Sequence, residues 1–261
     1  MSSIDINFDV YSDTPIGKDP DAFSKTLRNY HEILWSKKLP NGASFDLSNN
    51  NDIPRRLIHE SELGKFVLSS DSLGHTFRKW KRMSHIINTI PKSEIDDFFA
   101  VCSTIGGYII FPAHQINRQD TINQSRGKNT DINDRWDLTL ECIRLFYINK
   151  PNPLSEVLNR YSSFFNLFQD FKGYVDFFLL QDLVVDNYTL IKFYLPFEKF
   201  DQVHYSLPKN INEYRIYKKN VIAFIEARNR RILNSVKNYG EWLKYSIPLS
   251  YLISWLLYLR C

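Results

Sequence analysis

Between Thr121 and Arg144 the chain gathers groups able to hold an anion. Thr121, Asn123, Arg126, Gly127, Arg135 and Arg144 all fall there, with Asp137 and Glu141 among them. A planar guanidinium forks onto the oxygens of a phosphate or carboxylate through two parallel hydrogen bonds. Backbone N–H groups at a helix start add further donors. Arg126 and Arg135 are therefore the expected grip on an anionic ligand, helped by the backbone at Gly127, with Asn123 orienting what is bound. A carboxylate beside an arginine either orients it or serves as a general base. Asp137 and Glu141 are the candidates for that role.

The helix expected over WDLTLECIRLFY is apolar on almost every side, which marks a buried helix. Asp137, Glu141 and Arg144 nevertheless recur on it at i, i+4 and i+7, one polar stripe on a greasy surface. Buried charge is costly unless paired, so these groups must meet partners or a ligand. A purely structural account exists beside the chemical one. Asp134 can cap the helix, Asp137 can sit in its first turn, and Glu141 can pair with Arg144 or Arg135.

The elements that would position this stretch alternate between helical and extended patterns. Ser24 reads as the N-cap of a helix reaching Trp35. LPNG at 39–42 is a turn, Phe45 to Leu47 a short strand, and 48–56 a polar loop. Helices are expected over 73–90, 92–101, 135–148, 154–168, 173–185 and 210–237. TIGGYIIF at 104–111 and YTLIKFYL at 188–195 read as strands of a small sheet. Residues 113–134 read as a long polar loop, and such loops in compact domains are functional or disordered. The resulting fold class is α+β: a mostly helical single domain over 1–236 with a small sheet, followed by an apolar helix or tail over 237–261.

Hydrophobic residues at 43% and charged residues at 24% describe a folded chain rather than a disordered one. The net charge of +4 permits an anionic partner without forming the strong basic stripe of a non-specific nucleic-acid binder. Cys102, Cys142 and Cys261 are too far apart for a metal spacing or a disulfide framework, which suits a reducing, cytoplasmic compartment. The six histidines show no zinc spacing, so no metal site is expected. Asp176, Asp182 and Asp186 with Glu141 are the one hard-cation set worth noting. Walker A, dinucleotide and nucleophile-elbow patterns are absent, and no cofactor is implied. Two basic runs, Arg78, Lys79, Lys81 and Arg82 around Trp80, and Arg228, Arg230 and Arg231, could track phosphates. Arg28–His31 and Arg78–His85 have the spacing of paired arginine and histidine on a helix.

The run from Ile247 to Leu259 is apolar for about 13 residues, short of the roughly 20 that span a bilayer as a helix. It reads as a helix packing on the core or on a second copy, with contact to a membrane surface as the other reading.

TIGGYIIFP, the TIN-x2-RG segment at 121–127, DRWDLTLECIR and FQDFKGYVDFFLLQDLV together resemble a family of bacterial and phage-borne proteins without an established activity. GKDPDAFSKTLRNYHEILWSKKLPNG and LSSD at 68–71 extend the likeness over about residues 16–232. The resemblance implies a bacterial cytoplasmic setting and one continuous domain, and it transfers no catalytic residue. Two functions from different classes follow. One is an enzyme or sensor acting on a nucleotide or nucleic acid through the arginine-rich stretch. The other is a non-catalytic protein-binding or scaffold domain with a structural charge network, its tail a homo-oligomer contact.

Overall fold

A computed structural model describes residues 4–50 and 56–246. The chain opens with a short helix α1 (Pro20–Phe23), capped by Asp19, and passes at once into α2 (Lys25–Trp35). Ser24 accepts a hydrogen bond from Leu27 N and so caps α2 as its residue type leads one to expect. β1 (Lys37–Lys38) and β2 (Ser44–Phe45) form a small antiparallel pair across the LPNG turn.

The main sheet comes next: β3 (Ser48–Asn50), β4 (Arg56–Ser61), β5 (Gly64–Ser72) and, after two helices, β6 (Tyr108–Pro112). All neighbours are antiparallel, in the order β3-β4-β5-β6. β4 and β5 close on a two-residue turn, with Ser61 opposite Gly64. Leu57 and His59 on β4, and Phe66 and Leu68 on β5, alternate inward as one-sided strands do. This hairpin replaces much of the expected sheet. Residues 188–195 contribute only β8 (Leu190–Ile191), paired with β7 (Val184–Val185) apart from the main sheet. The expected strand over 104–111 begins later, at Tyr108, behind a 3-10 turn from Ile105 to Gly107.

Residues 73–90 are not one helix. They run as an irregular strap to a 3-10 turn at Lys81–Met83 and a single helical turn, α3 (Ser84–Ile87). Phe77 turns the backbone aside at φ 56° and is fully buried. α4 (Lys92–Cys102) follows where expected. The supposed loop 113–134 contains a helix, α5 (Ile122–Lys128), started by a reciprocal capping box between Thr121 and Gln124. Thr121 is thus a cap in this fold.

α6 (Trp136–Tyr147) is buried over its first two turns. α7 (Ser155–Arg160), α8 (Ser162–Asn166) and α9 (Phe171–Phe177) pack an aromatic cluster in which Phe168 lies 5.0 to 5.4 Å from Tyr174, Phe177 and Phe178. The last helix, α10 (Ile211–Ser246), lays Tyr214, Tyr217, Val221, Phe224, Ile225, Arg228 and Ile232 along one buried stripe. Gly106 lets it come close: a Cβ there would stand 2.5 Å from Asn229 Oδ1 and 2.8 Å from Ile225 O. Of the tail expected over 237–261, residues 237–246 continue α10, and 247–261, with the apolar run 247–259 and Cys261, lie outside the described residues. No helix among the described residues is long and apolar enough to cross a membrane.

Candidate active site

β5 ends in Ser70, Asp71 and Ser72, and each does something different. Ser70 N donates to Asp21 Oδ1 at 2.5 Å, bringing α1 against the strand. Asp21 Oδ2 meets Arg56 Nη1 at 3.2 Å. Asp71 Oδ1 accepts from Ser72 N at 2.9 Å, while its Oδ2 takes the guanidinium of Arg126. Two acids 50 positions apart in sequence therefore reach adjacent residues of one strand.

Arg126 is fully buried, and internal acceptors surround it. Besides Asp71, it donates to Ser72 O at 3.1 Å, Asp134 O at 3.0 Å and Thr139 Oγ1 at 3.2 Å. Asp134 Oδ1 stands 3.4 Å from its Nε, and the ring of Trp136 lies 5.5 Å from its Cζ. The turn that delivers Asp134 is left-handed at both Asn133 (φ 47°) and Asp134 (φ 63°). Asn and Asp tolerate that region better than other residues with a Cβ. Side-chain bonds from Asn133 Nδ2 to Thr130 O (2.7 Å) and Ser206 Oγ (2.6 Å) hold the turn in place.

Two histidines flank the acids, and the hydrogen bonds fix how each can act. His31 Nδ1 accepts from Trp35 Nε1 at 2.9 Å, so its other nitrogen carries the proton and donates to Ser70 Oγ at 2.8 Å. A ring in that tautomer has no lone pair left for the serine proton, so no serine–histidine dyad forms here. Burial pulls its pKa down to about 3, reinforced by Arg228. His75 Nδ1 accepts from Phe77 N at 3.0 Å, which leaves its Nε2 facing Asp134 Oδ2 at 3.6 Å. Its pKa is also lowered by burial, against the pull of Asp134.

Some of these groups line a cleft of about 510 Å³. Asp21, Ser70, Asp71, His75 and Asn123 line it, together with Tyr11, Arg78, Lys79, Trp80 and Phe99. Arg78 lies over the Phe99 ring, 3.4 Å from its centroid, and the Tyr11 ring lies tilted at 46° to the same ring, centroids 4.9 Å apart. Burial pushes the Asp21 carboxyl up to about 7, opposed by the Ser70 N–H and by Arg56. Burial also raises Asp71, against the pull of Arg126. Carboxyls held near neutrality can both give and take a proton at physiological pH, which is the property acid–base catalysis requires.

Of the residues singled out in the sequence, Asn123 and, from the basic run, Arg78, Lys79 and Trp80 line this cleft, and Arg126 reaches it through Asp71. Arg135 is fully buried and forks onto Asp137, also fully buried, at 3.1 and 2.5 Å. Arg144 forks onto Glu141 at 2.7 Å twice, one turn further along α6. Gly127 lies in the last turn of α5, with open space where a Cβ would stand. Asp134 joins Arg126 instead of capping α6, whose N-cap position is Arg135. The acidic set considered for a cation is dispersed: Asp176 binds Lys172, Gln181 and Tyr188, and Asp182 binds Arg231. Among the described residues no group of three or more His, Cys, Asp or Glu is placed to hold a metal ion. The run at 228–231 divides, Arg228 inward and Arg230 outward.

The acids of the cleft, Asp21 and Asp71 with Asp19 beside them, lay outside the stretch that the sequence favoured. The signals that point to them are the inward alternation of Leu57, His59, Phe66 and Leu68 around SELG, and the PDAF and LSSD segments.

Asp21 gives the protein a pH signature. Its folded pKa, about 7, exceeds the ordinary 3.8, so the folded state holds this proton more tightly than the unfolded state. The stabilisation is complete below about 4 and is lost as pH rises through about 7. Asp21→Asn keeps the acceptor for Ser70 N and removes this titration. The difference in melting temperature, variant minus parent, should climb between pH 4 and 8, equivalent to roughly 4 kcal/mol. Taking the difference isolates Asp21 from His31, whose depressed pKa acts in the opposite sense below pH 6.5. Parallel melting curves across that range would refute the assignment.

Fold and cleft define an α+β domain with a paired-carboxyl site on the end of its central hairpin. The chain belongs to the family of unknown function DUF6994, whose pattern matches residues 4–232. No curated protein and no solved structure matches it.

Proposed function

We propose that the cleft binds a nucleotide, or the phosphate-bearing part of a nucleic acid, and that the protein is an enzyme or sensor acting on that ligand. One observation carries the reading: two carboxyls with raised pKa values share a cleft with the exposed cations Arg78 and Lys79. Lys79 and the guanidinium of Arg78 suit a phosphate, and the rings of Trp80 and Tyr11 suit a flat base. Asp21, the more proton-retentive acid, would donate or accept the proton. Asp71, fixed by Arg126, would orient the reacting group. In this reading Arg126 works on the ligand through Asp71, and Arg135, Asp137, Glu141 and Arg144 brace the wall behind it. The buried free thiols of Cys102 and Cys142 fit a cytoplasmic setting.

The test is a thermal-shift and calorimetric screen of the purified protein against mono-, di- and oligonucleotides, with Arg78→Ala/Lys79→Ala in parallel. Both residues are exposed, so the double variant should fold as the parent does. A nucleotide that stabilises the parent should lose about 10-fold or more in affinity on the variant. A second reading, a non-catalytic scaffold, draws on Arg126, Arg135 and Arg144 all meeting carboxylates of the same chain. It predicts no shift with any nucleotide.

A further inference from the structure

The cleft carries one polar group whose bonding is incomplete within the protein. Asn123 reaches Ser70 O through Nδ2 at 3.5 Å, a long bond, while its Oδ1 is buried and has no hydrogen-bond partner. An unmet buried carbonyl is costly, and such groups in native structures call for an explanation. Held by one weak bond, the amide can turn its oxygen toward a ligand. Close to it the carboxyls of Asp21 and Asp71 line the same cleft and add further acceptors. This floor therefore asks for a ligand that presents donors.

Which part of a nucleotide does so is settled by how a nucleotide is joined. If Arg78 and Lys79 hold the phosphate, and Trp80 and Tyr11 hold the base, the piece that lies between is the sugar. Its two neighbouring hydroxyls are donors on one edge, spaced to meet a carboxylate and an amide oxygen together. An exocyclic amine on the edge of the base also presents donors, and UMP, which has none, separates the two.

We propose that Asn123 and Asp21 bind the cis-diol of a ribose, so that the site selects ribonucleotides over their 2′- and 3′-deoxy counterparts. This rests on the nucleotide reading above and assigns Asn123 a specificity role that the acids alone would not supply. Sites that pair with a hydroxyl discriminate strongly against the analogue lacking it, because the protein group is then left unpaired.

Calorimetry with AMP, GMP, CMP and UMP, each beside its 2′-deoxy and 3′-deoxy form, tests this on the parent protein without any variant. The expected result is at least about 10-fold tighter binding of the ribonucleotide than of either deoxy form. In Asn123→Leu the ribonucleotide should fall to the affinity of the one deoxy form that lacks the hydroxyl Asn123 meets, while the affinity of that form stays unchanged. Far-UV circular dichroism and melting temperature establish that the variant is folded. Equal binding of ribo and deoxy forms by the parent overturns the inference and leaves the nucleotide reading standing. Binding of none of the panel overturns both.

Discussion

Arg135→Ala should lower the stability of the protein by about 3–5 kcal/mol, the cost of leaving one member of a buried ion pair alone. Arg135 and Asp137 are both inaccessible to solvent. The guanidinium spans both carboxylate oxygens and also reaches Ser206 O at 3.3 Å. Asp137 Oδ2 accepts in addition from Tyr194 N at 2.7 Å, so the pair ties α6 to the segment after β8 and to the loop before α10. With the arginine gone, a carboxylate remains in a dry interior. Urea denaturation reads the loss directly as a lower midpoint at unchanged slope. Adding Asp137→Asn to an Arg135→Leu background should recover part of it, since the amide can still accept from Tyr194 N. If Arg135→Ala instead melts like the parent and only loses a ligand, the pair is a binding site after all. The same logic separates the two accounts of the stripe on α6, one chemical and one architectural.

Arg228→Met is the second large effect expected. Arg228 is fully buried on α10 and donates entirely to backbone carbonyls. Nη1 bonds Gly106 O at 2.8 Å and Tyr108 O at 2.7 Å, and Nε and Nη2 bond Phe178 O at 3.2 and 3.0 Å. The Trp35 ring lies 5.7 Å from its Cζ. One side chain thus fastens the start of β6 and the end of α9 to the long helix. Methionine fills most of the space but leaves three carbonyls without that donor, at about 1–3 kcal/mol for each that finds no water. A loss of roughly 4 kcal/mol is expected, again from the denaturation midpoint. Arg228→Lys should recover only part, because an ammonium cannot reproduce the fork that reaches three acceptors. Loss of less than about 1 kcal/mol in Arg228→Met would mean that α10 is held by its apolar stripe alone.

Both predictions concern arginines whose chain neighbourhood suggested something else. Arg228 stood in a run with Arg230 and Arg231 that could have tracked phosphates, and Arg135 stood in a polar stretch suited to gripping one. A side chain's own neighbours in sequence do not reveal whether it points to solvent or to a carbonyl 120 positions away. The cleft shows the same limit from the other side. Asp21 and Asp71 looked ordinary in sequence, one in a Pro-rich lead-in and one beyond an unrecognised hairpin.

What the sequence determined by itself was everything fixed within a few residues. Ser24 three positions before Leu27 set the start of α2; the apolar repeat in 211–232 set the buried stripe of α10; Glu141 three before Arg144 set their ion pair. The α+β class followed from such local periods, because helix and strand geometry repeat over less than two turns or a few residues. Even the missed elements had local signals, the Thr121–Gln124 capping box and the alternation on either side of SELG. Tertiary structure alone decided the site. Ser70 N meets Asp21, Asp71 meets Arg126, and Asn123 comes to stand beside Ser70 only when α1 and α5 are both brought to the end of β5. Those contacts join positions about 50 apart. Their strength depends on burial, which no local pattern specifies, and burial is what raises the two carboxyls and gives the cleft its chemistry.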